Sequence, residues 1–198
     1  MQTSPPTSEL QIYTDGSFDR KSGSGGWGFV SFEGGLSIHR EHGSSSGLSN
    51  NSLELKAVVQ ALAWVAAAWP GRASILWTDS RHVVEGCHAW RMIWRNNGWK
   101  RIEPNARARR RTIPDAALWQ TLDLLLDQNP SVTVAWCKGH FGVGGNEDAD
   151  ALARRALQAS DLRCSDDVSS CSIRASTSPQ GQAMAAACRH PKGLNVEK

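Results

Sequence analysis

The chain has 198 residues, of which 40% are hydrophobic and 21% charged, and its formal net charge is +3 at pH 7. This composition is typical of one globular domain with a tail, and it excludes a membrane span, which needs roughly 20 consecutive apolar residues. The polar, Pro-rich segment Met1 to Glu9 has neither a basic run nor an apolar core, so we expect no targeting peptide and a cytoplasmic protein.

The first part of the chain predicts an antiparallel meander. Leu10 to Asp15 is an alternating apolar run that stops at Gly16, and Gly26 to Phe32 is a second run, entered through a Gly/Ser-rich turn. Leu36 to His42 can pair with the second run as a third strand, across the Gly34-Gly35 turn.

After residue 50 the pattern predicts helices that alternate with buried strands. The predicted helices are Asn51 to Ala68, residues 80 to 101, Ala116 to Gln128 and Asn146 to Gln158, and the predicted strands are Ser74 to Thr78 and Val132 to Cys137. The fold class is therefore α/β, with a mixed five-stranded sheet, an antiparallel meander followed by parallel strands, flanked by helices. Beyond Ser160 the periodicity is lost, which predicts a disordered or weakly helical tail.

The cysteines predict neither a disulfide framework nor a zinc site, because they are odd in number and include no Cys-x-x-Cys pair. They are Cys87, Cys137, Cys164, Cys171 and Cys188. We expect reduced thiols without a functional role.

Three acidic residues are predicted to converge at one end of the sheet. Asp15 lies at the end of the first strand, and Asp79 lies at the end of the buried strand Ser74 to Thr78. Ligands of open α/β sheets bind in the crevice at such strand ends. Glu54 shares a helix side with Val58 and Val65, and a core-facing acid needs a partner or a metal ion. Individually, these acids are also explained as a turn residue, a helix cap and a first-turn acid. Their common location favours a shared functional site.

Seven motifs around these acids occur in a fixed order along the chain. They are YTDGS at 13 to 17, GGWG at 25 to 28, NNSLELKAVVQAL at 50 to 62, TDS at 78 to 80, NNGWK at 96 to 100, LWQTLD at 118 to 123, and KGH with NEDADALAR between 138 and 154. Several spaced motifs in one order are more specific than any lone pattern. On these motifs residues 10 to 157 resemble type 1 ribonuclease H, the bacterial-type family. The resemblance implies an endonuclease that cuts the RNA strand of RNA/DNA hybrids and leaves 3′-hydroxyl and 5′-phosphate ends.

The resemblance also implies which residues form the catalytic site. The four metal-binding acids are Asp15, Glu54, Asp79 and Asp150. Asp150 is chosen because it follows Asn146 at the family's spacing, whereas the competing Asp148 is better explained as a first-turn acid of a helix. His140 matches a histidine of a mobile loop that assists proton transfer or product departure.

Carboxylates suit hard cations, so the implied cofactor is Mg²⁺, with Mn²⁺ as a substitute. Two ions roughly 3.5 to 4 Å apart activate a water molecule and hold the leaving oxygen in such nucleases. Without metal, four neighbouring carboxylates repel one another, and we expect an electrostatically strained site.

Recognition of a hybrid needs contacts with the 2′-hydroxyl groups in the shallow minor groove. By resemblance, the residues placed for substrate contact are Gly16, Ser17, Asn50, Asn51, Arg81 and Asn146. For Asn50 and Asn51, helix capping is an open alternative.

A stretch near residues 86 to 113 is rich in Trp and Arg, and we refer to it as the basic protrusion. Its candidate substrate-binding residues are Trp90, Arg91, Trp94, Arg95, Trp99 and Lys100, followed by Arg101, Arg107, Arg109, Arg110 and Arg111. Regularly spaced Trp residues usually lie in a core and Arg runs on a solvated surface. Interleaved, they suit a surface that binds phosphates over packed aromatic rings, and this stretch resembles the basic protrusion of bacterial ribonucleases H.

The predicted organisation is a flexible N-terminus (residues 1 to 8), a catalytic domain (9 to 159) and a tail (160 to 198). We expect a monomer whose partner is an RNA/DNA hybrid, with no membrane or protein partner. Two alternatives stay open: a nuclease of the same superfamily that acts on branched DNA, and a non-catalytic hybrid-binding module. Comparing cleavage of hybrid and duplex DNA tests the first, and Mg²⁺-dependent product formation tests the second.

Overall fold

Five strands form one mixed sheet in the computed structural model, which describes residues 9–46, 49–102, 112–139 and 144–172, with side chains up to residue 160. The strands are β1 (Leu10–Asp19), β2 (Ser24–Glu33), β3 (Leu36–Ser46), β4 (Ser74–Thr78) and β5 (Val132–Trp136). Their order in the sheet is β3-β2-β1-β4-β5. The β1/β2 and β2/β3 pairs are antiparallel, whereas β1/β4 and β4/β5 are parallel. The predicted fold class is confirmed.

The helices flank this sheet. They are α1 (Asn50–Ala68), α2 (Arg81–Glu85), a contiguous π-helical turn (Gly86–Trp90), α3 (Arg91–Asn96), α4 (Ala116–Gln128) and α5 (Gly144–Ser172). Helix α5 continues past its predicted end at Gln158 and takes up the first residues of the predicted tail. Residues 1–8 and 173–198 lie outside the described residues. Within the described residues, no helix combines the length and the apolar character that crossing a membrane requires.

Strand β1 is longer than the sequence predicted, because antiparallel pairing with β2 continues beyond Gly16 to Asp19. Its parallel pairing with β4 ends earlier, at the pair Thr14 and Thr78. Asp15 therefore lies inside β1, one residue beyond the end of its pairing with β4. Its position beside the carboxyl end of β4 is the one that the strand-end argument requires.

Helix α1 packs one apolar stripe onto the sheet. Leu55, Val58, Leu62 and Val65 are all essentially inaccessible to solvent, and they share one core with Ile12 and other sheet residues. Burying each such side chain contributes about 1.5 to 3 kcal/mol relative to leaving it in water. This packing fixes the position of the N-terminal part of α1, where Glu54 is the fifth residue of the helix.

Helix α5 packs closely on the opposite face of β2 through two glycines. A Cβ atom on Gly28 would lie 2.6 Å from the Cβ of Leu152, and one on Gly26 would overlap the carbonyl oxygen of Ala153. Gly25, next in the strand, instead faces Leu53 of α1. Successive strand residues point to opposite faces, so α1 and α5 cover the two sides of the sheet.

Candidate active site

Three carboxylates that are distant in sequence meet at the end of the sheet. Asp15 comes from β1, Glu54 is the fifth residue of α1, and Asp79 is the residue after β4. Each supplies one oxygen atom, and these atoms all lie within 4.8 Å of one another. Asp15 and Glu54 are each only 6% exposed. The structure therefore places three of the four predicted acids in one cluster, in which Asp15 and Glu54 are buried and Asp79 is half-buried.

The fourth predicted acid, Asp150, lies beside this cluster. It lines the same cleft and lies close enough to Asp15 for the two acids to share a hydrogen bond when one of them is protonated. It is not among the three acids whose oxygens are mutually within 4.8 Å. The competing candidate, Asp148, forms an ion pair with Arg40 of β3 at 2.8 Å. The geometry therefore distinguishes the two aspartates of the NEDAD segment, and it favours Asp150 as the member of the site.

The charges of the cluster shift its protonation. Burial, followed by repulsion from Asp79 and Asp150, raises the pKa of Asp15 to about 8, and the Gly16 N–H acts in the opposite direction. Burial also raises the pKa of Glu54, helped by the charges of Asp15 and Asp79. Acids held this close favour a bound proton or a bound cation over four free charges.

The oxygen atoms of the cluster also fit a divalent metal ion. Glu54 accepts a hydrogen bond from Asn50 Nδ2 at 3.4 Å through Oε1. Its other oxygen, Oε2, is buried and has no hydrogen-bond partner among the described residues. A buried carboxylate oxygen without a donor is costly unless a cation binds it, and hard divalent cations prefer such oxygen ligands.

A polar cleft of about 540 Å³ surrounds the acids. Of the predicted substrate-contact residues, it is lined by Gly16, Ser17, Asn50, Asn51 and Arg81. Helix α1 is capped by Ser49, whose Oγ accepts a hydrogen bond from the backbone N–H of Ser52. In turn, Ser52 Oγ accepts a hydrogen bond from the backbone N–H of Ser49. The alternative that Asn50 or Asn51 is the helix cap is therefore wrong, and both amides stay in the cleft lining.

Trp136 is a cleft neighbour that the sequence analysis missed. The guanidinium of Arg81 lies over its ring, 4.7 Å from the centroid, and its indole Nε1 donates to the backbone carbonyl of Asp79 at 3.1 Å. A stacked guanidinium keeps its charge and its outer N–H groups while its position is fixed. Trp136 was missed because it belongs to a continuous apolar run that predicts a fully buried strand, whereas in the structure it is partly exposed.

Asn146 does not lie where a substrate contact was expected. It is 1% exposed, and its Oδ1 accepts a hydrogen bond from the Cys137 thiol at 3.3 Å. Asn146 therefore joins the start of α5 to the residue after β5, and it is not among the residues that line the cleft. Burial and the nearby acids raise the pKa of Cys137 to about 11, so the thiol keeps the proton that it donates. His140 lies outside the described residues.

Two arginines of the basic protrusion have a different role from the one predicted. Arg91 Nη1 lies 2.7 Å from Asp123 Oδ1, and Arg95 Nε donates to Asp123 Oδ2 at 2.6 Å. Both also pair with Asp127, at 3.2 Å and 2.8 Å. Asp123 is only 9% exposed. These pairs join α3 to α4, so the two guanidinium charges are neutralised within the fold and are not free for phosphates.

The tryptophans of the protrusion pack mainly into the protein. Trp94 meets the buried Trp119 edge-to-face at 5.3 Å, and Trp90 packs against Trp94 at 5.7 Å. Trp99, with a left-handed φ of 58°, is partly buried against the core. Lys100 is exposed and forms an isolated antiparallel bridge with Thr112. Lys100 therefore remains a candidate for phosphate contact, whereas the tryptophan rings contribute to packing within the protein.

We expect the double change Arg91→Gln and Arg95→Gln to lower the free energy of unfolding by about 2 to 4 kcal/mol, because Asp123 would stay buried without its partners. The matched double change Lys100→Gln and Arg101→Gln removes two exposed charges and should leave stability within about 0.5 kcal/mol. Urea unfolding measures both. The salt dependence of nucleic-acid binding should flatten mainly in the Lys100/Arg101 variant. A stable Arg91/Arg95 variant with a flattened salt dependence would restore the original interpretation.

Comparisons with known proteins agree with this geometry. The family model described as RNase H matches residues 7–158. The Ribonuclease H of Thermosynechococcus vestitus is 40% identical over 145 residues, which cover 73% of this chain and 86% of that protein. The Ribonuclease H of Polynucleobacter asymbioticus is 39% identical over 148 residues, covering 74% of this chain and 88% of that protein.

A solved structure is similar as well. LC9-RNase H1, described as a type 1 RNase H with the type 2 active-site motif, aligns with a TM-score of 0.65 at 27% identity. The alignment covers 79% of this chain and 75% of that one. The family match over residues 7–158 therefore includes all five strands and each of the four predicted acids.

Proposed function

Because the chain belongs to the ribonuclease H family, we propose that it hydrolyses the RNA strand of RNA/DNA hybrids and leaves 3′-hydroxyl and 5′-phosphate ends. The observation that carries the proposal is the group of three carboxylates, two of them buried, whose oxygens lie within 4.8 Å of one another. Asp150 stands beside that group, in the NEDADALAR motif that contributed to the resemblance. A module that only bound hybrids would gain nothing from carboxylates that repel one another and the phosphates of its ligand.

Divalent metal ions, Mg²⁺ or its substitute Mn²⁺, are the proposed cofactors, and the residues that would hold them are Asp15, Glu54, Asp79 and Asp150. When bound, such ions lower the pKa of an attacking water and neutralise charge on the phosphate and the leaving oxygen. The unpartnered Oε2 of Glu54 and the raised pKa of Asp15 support this assignment, because both describe a site that gains stability from added positive charge.

The other cleft residues are proposed to bind and orient the hybrid. Ser17, Asn50 and Asn51 offer short polar side chains along the cleft, suited to 2′-hydroxyl groups in a shallow groove. Arg81 offers a cation whose position is fixed by Trp136, suited to a phosphate of the strand being cut. His140 is proposed to assist proton transfer or product departure. Lys100 and Arg101 are proposed to contact the hybrid backbone from the protrusion.

The test is cleavage of one sequence prepared as an end-labelled RNA/DNA hybrid, duplex DNA, duplex RNA, single-stranded RNA and a branched DNA junction. We expect Mg²⁺-dependent cutting of the hybrid RNA strand alone, with products that carry 5′-phosphate ends. Asp79→Asn, purified in parallel, detects any contaminating nuclease and should be inactive. Cleavage of the junction in preference to the hybrid would identify the alternative superfamily activity, and hybrid binding without cleavage would identify the non-catalytic module.

A further inference from the structure

The positively charged side chain of Arg154 lies directly against Asp150, the fourth acid of the site. Arg154 follows Asp150 by one helical turn in α5, and its Nε lies 2.9 Å from Asp150 Oδ1. The Asp150 side chain is 17% exposed, whereas that of Arg154 is 58% exposed. The acid is therefore largely enclosed in the cleft, and its partner reaches it from solvent.

Asp150 has two close neighbours, the carboxyl group of Asp15 and the guanidinium of Arg154. Its side chain lies beside Asp15 in the cleft that the three other acids line, and it forms an ion pair with Arg154. Its oxygens lie outside the set that is mutually within 4.8 Å. The protein thus contains a compact group of three carboxylates and, beside it, a fourth carboxylate that is paired with the protein's own arginine.

We propose that Arg154 is the counter-cation of Asp150: it holds this carboxylate when the cleft contains no metal ion and releases it when a divalent cation binds. Arg154 is therefore a positioning residue, which acts through Asp150. This inference rests on the proposed function, because it presupposes that the four acids bind a divalent cation.

The exchange is energetically accessible. An exposed ion pair at i, i+4 spacing in a helix contributes only about 0.2 to 1 kcal/mol, so little is lost when it opens. A divalent cation carries twice the charge and prefers carboxylate oxygens. Arg154 also has a long side chain with a solvent-exposed end, so it can leave Asp150 without disturbing the packed face of α5.

The test is a Mg²⁺ titration without nucleic acid, at constant ionic strength, followed by amide NMR shifts of cleft residues. We expect Arg154→Gln to lower the Mg²⁺ concentration at half-saturation roughly two- to fivefold, because the cation no longer competes with Arg154. The melting temperature of the metal-free protein should fall, since the acids lose their counter-charge. Arg155→Gln removes the same charge from an exposed neighbour in α5 and should change the half-saturation concentration by less than about half as much.

Two further variants separate a contact with Asp150 from a general charge effect. Arg154→Lys keeps the charge, so its Mg²⁺ concentration at half-saturation should stay within about twofold of the wild-type value. In an Asp150→Asn background, Arg154→Gln should have no additional effect on half-saturation, because the two residues act as one unit.

The inference is overturned if Arg154→Gln leaves half-saturation unchanged or raises it, or if its effect persists in the Asp150→Asn background. Should Arg154→Gln fail to fold, the inference is supported if Arg154→Lys binds Mg²⁺ as the wild type does and Arg154→Ala binds Mg²⁺ more tightly, and it is overturned if Arg154→Ala does not. A wild-type protein that shows no saturable response to Mg²⁺ contradicts the proposed function itself. Normal Mg²⁺ binding and hybrid cleavage, with equal behaviour of the Arg154 and Arg155 variants, contradicts only the role of Arg154.

Discussion

Asp15→Asn is expected to abolish hybrid cleavage while making the metal-free protein more stable. The substitution removes one ligand of the metal site and should reduce the cleavage rate by at least about 10² to 10³-fold, the scale for losing one preorganised charge-stabilising group. It also removes a buried carboxylate that two neighbouring acids destabilise when it is ionised. The amide has nearly the same shape, so the packing of β1 is retained.

The pH dependence of stability follows from the pKa of Asp15, which is raised from 3.8 to about 8. An acid whose pKa is raised by folding stabilises the fold while it is protonated, so its contribution is complete below the unfolded-state pKa and is lost as pH rises toward 8. The metal-free wild type should therefore lose stability between about pH 4 and pH 8. The stability of Asp15→Asn should depend less on pH, and at pH 8 its free energy of unfolding should exceed that of the wild type by an amount on the order of 1 to 3 kcal/mol. The gain is limited to this range because the neighbouring acids titrate together with Asp15.

Urea unfolding at several pH values, in the presence of a chelator, measures this difference. Asp148→Asn is the matched control, because Asp148 is an acid that pairs with Arg40 at the surface of the same fold. It should change cleavage little and shift stability by less than about 1 kcal/mol. Retained activity of Asp15→Asn together with lower stability at pH 8 would contradict the assignment of Asp15 to a metal site.

Much of the fold could be predicted from the sequence because its elements have clear periods and ends. Strand β4 and helix α4 have the predicted bounds, Ser74 to Thr78 and Ala116 to Gln128. The resemblance drawn from the seven motifs is confirmed by the family match over residues 7–158. Two of the acids were found by a general rule, that ligands bind at strand ends, and Glu54 by its place on a core-facing stripe.

The pairing partners of charged residues could not be predicted in the same way. Helical spacing placed Arg91 and Arg95 on one side of a helix, but it carried no information about the element packed against them. The structure places Asp123 and Asp127 opposite, themselves at i, i+4 spacing on α4. A run of arginines therefore does not establish a phosphate-binding surface until acids on neighbouring helices have been located.

Side chains at the ends of buried strands were also difficult to assign. Cys137 and Trp136 end the apolar run of β5, where a continuous hydrophobic pattern predicts uniform burial. In the structure, Cys137 is buried and donates to Asn146, whereas Trp136 is partly exposed beneath Arg81. The difference depends on which loops and helices cover the strand end, and those are long-range contacts that periodicity does not describe.

Gly16→Ala is expected to damage stability and activity together. Helix α1 approaches β1 so closely that a Cβ on Gly16 would lie 2.6 Å from the carbonyl carbon of Leu53, and closer still to the backbone nitrogen of Glu54. These are backbone atoms, which cannot rotate away as a side chain can. Relieving the overlap requires α1 to move, at a cost of about 1 to 3 kcal/mol or more, as in other overpacked cores.

The same movement would displace Glu54 from Asp15 and Asp79, so the Gly16 variant should cleave poorly even at temperatures where it remains folded. This result distinguishes two roles for Gly16. If the glycine served substrate binding alone, alanine would raise KM without changing the free energy of unfolding. Gly144→Ala is the control, since a Cβ there meets open space at the start of α5 and should change stability by no more than about 1 kcal/mol. A Gly16→Ala protein as stable as that control would mean that α1 can give way, and that the close packing of Gly16 on Leu53 does not fix the position of Glu54.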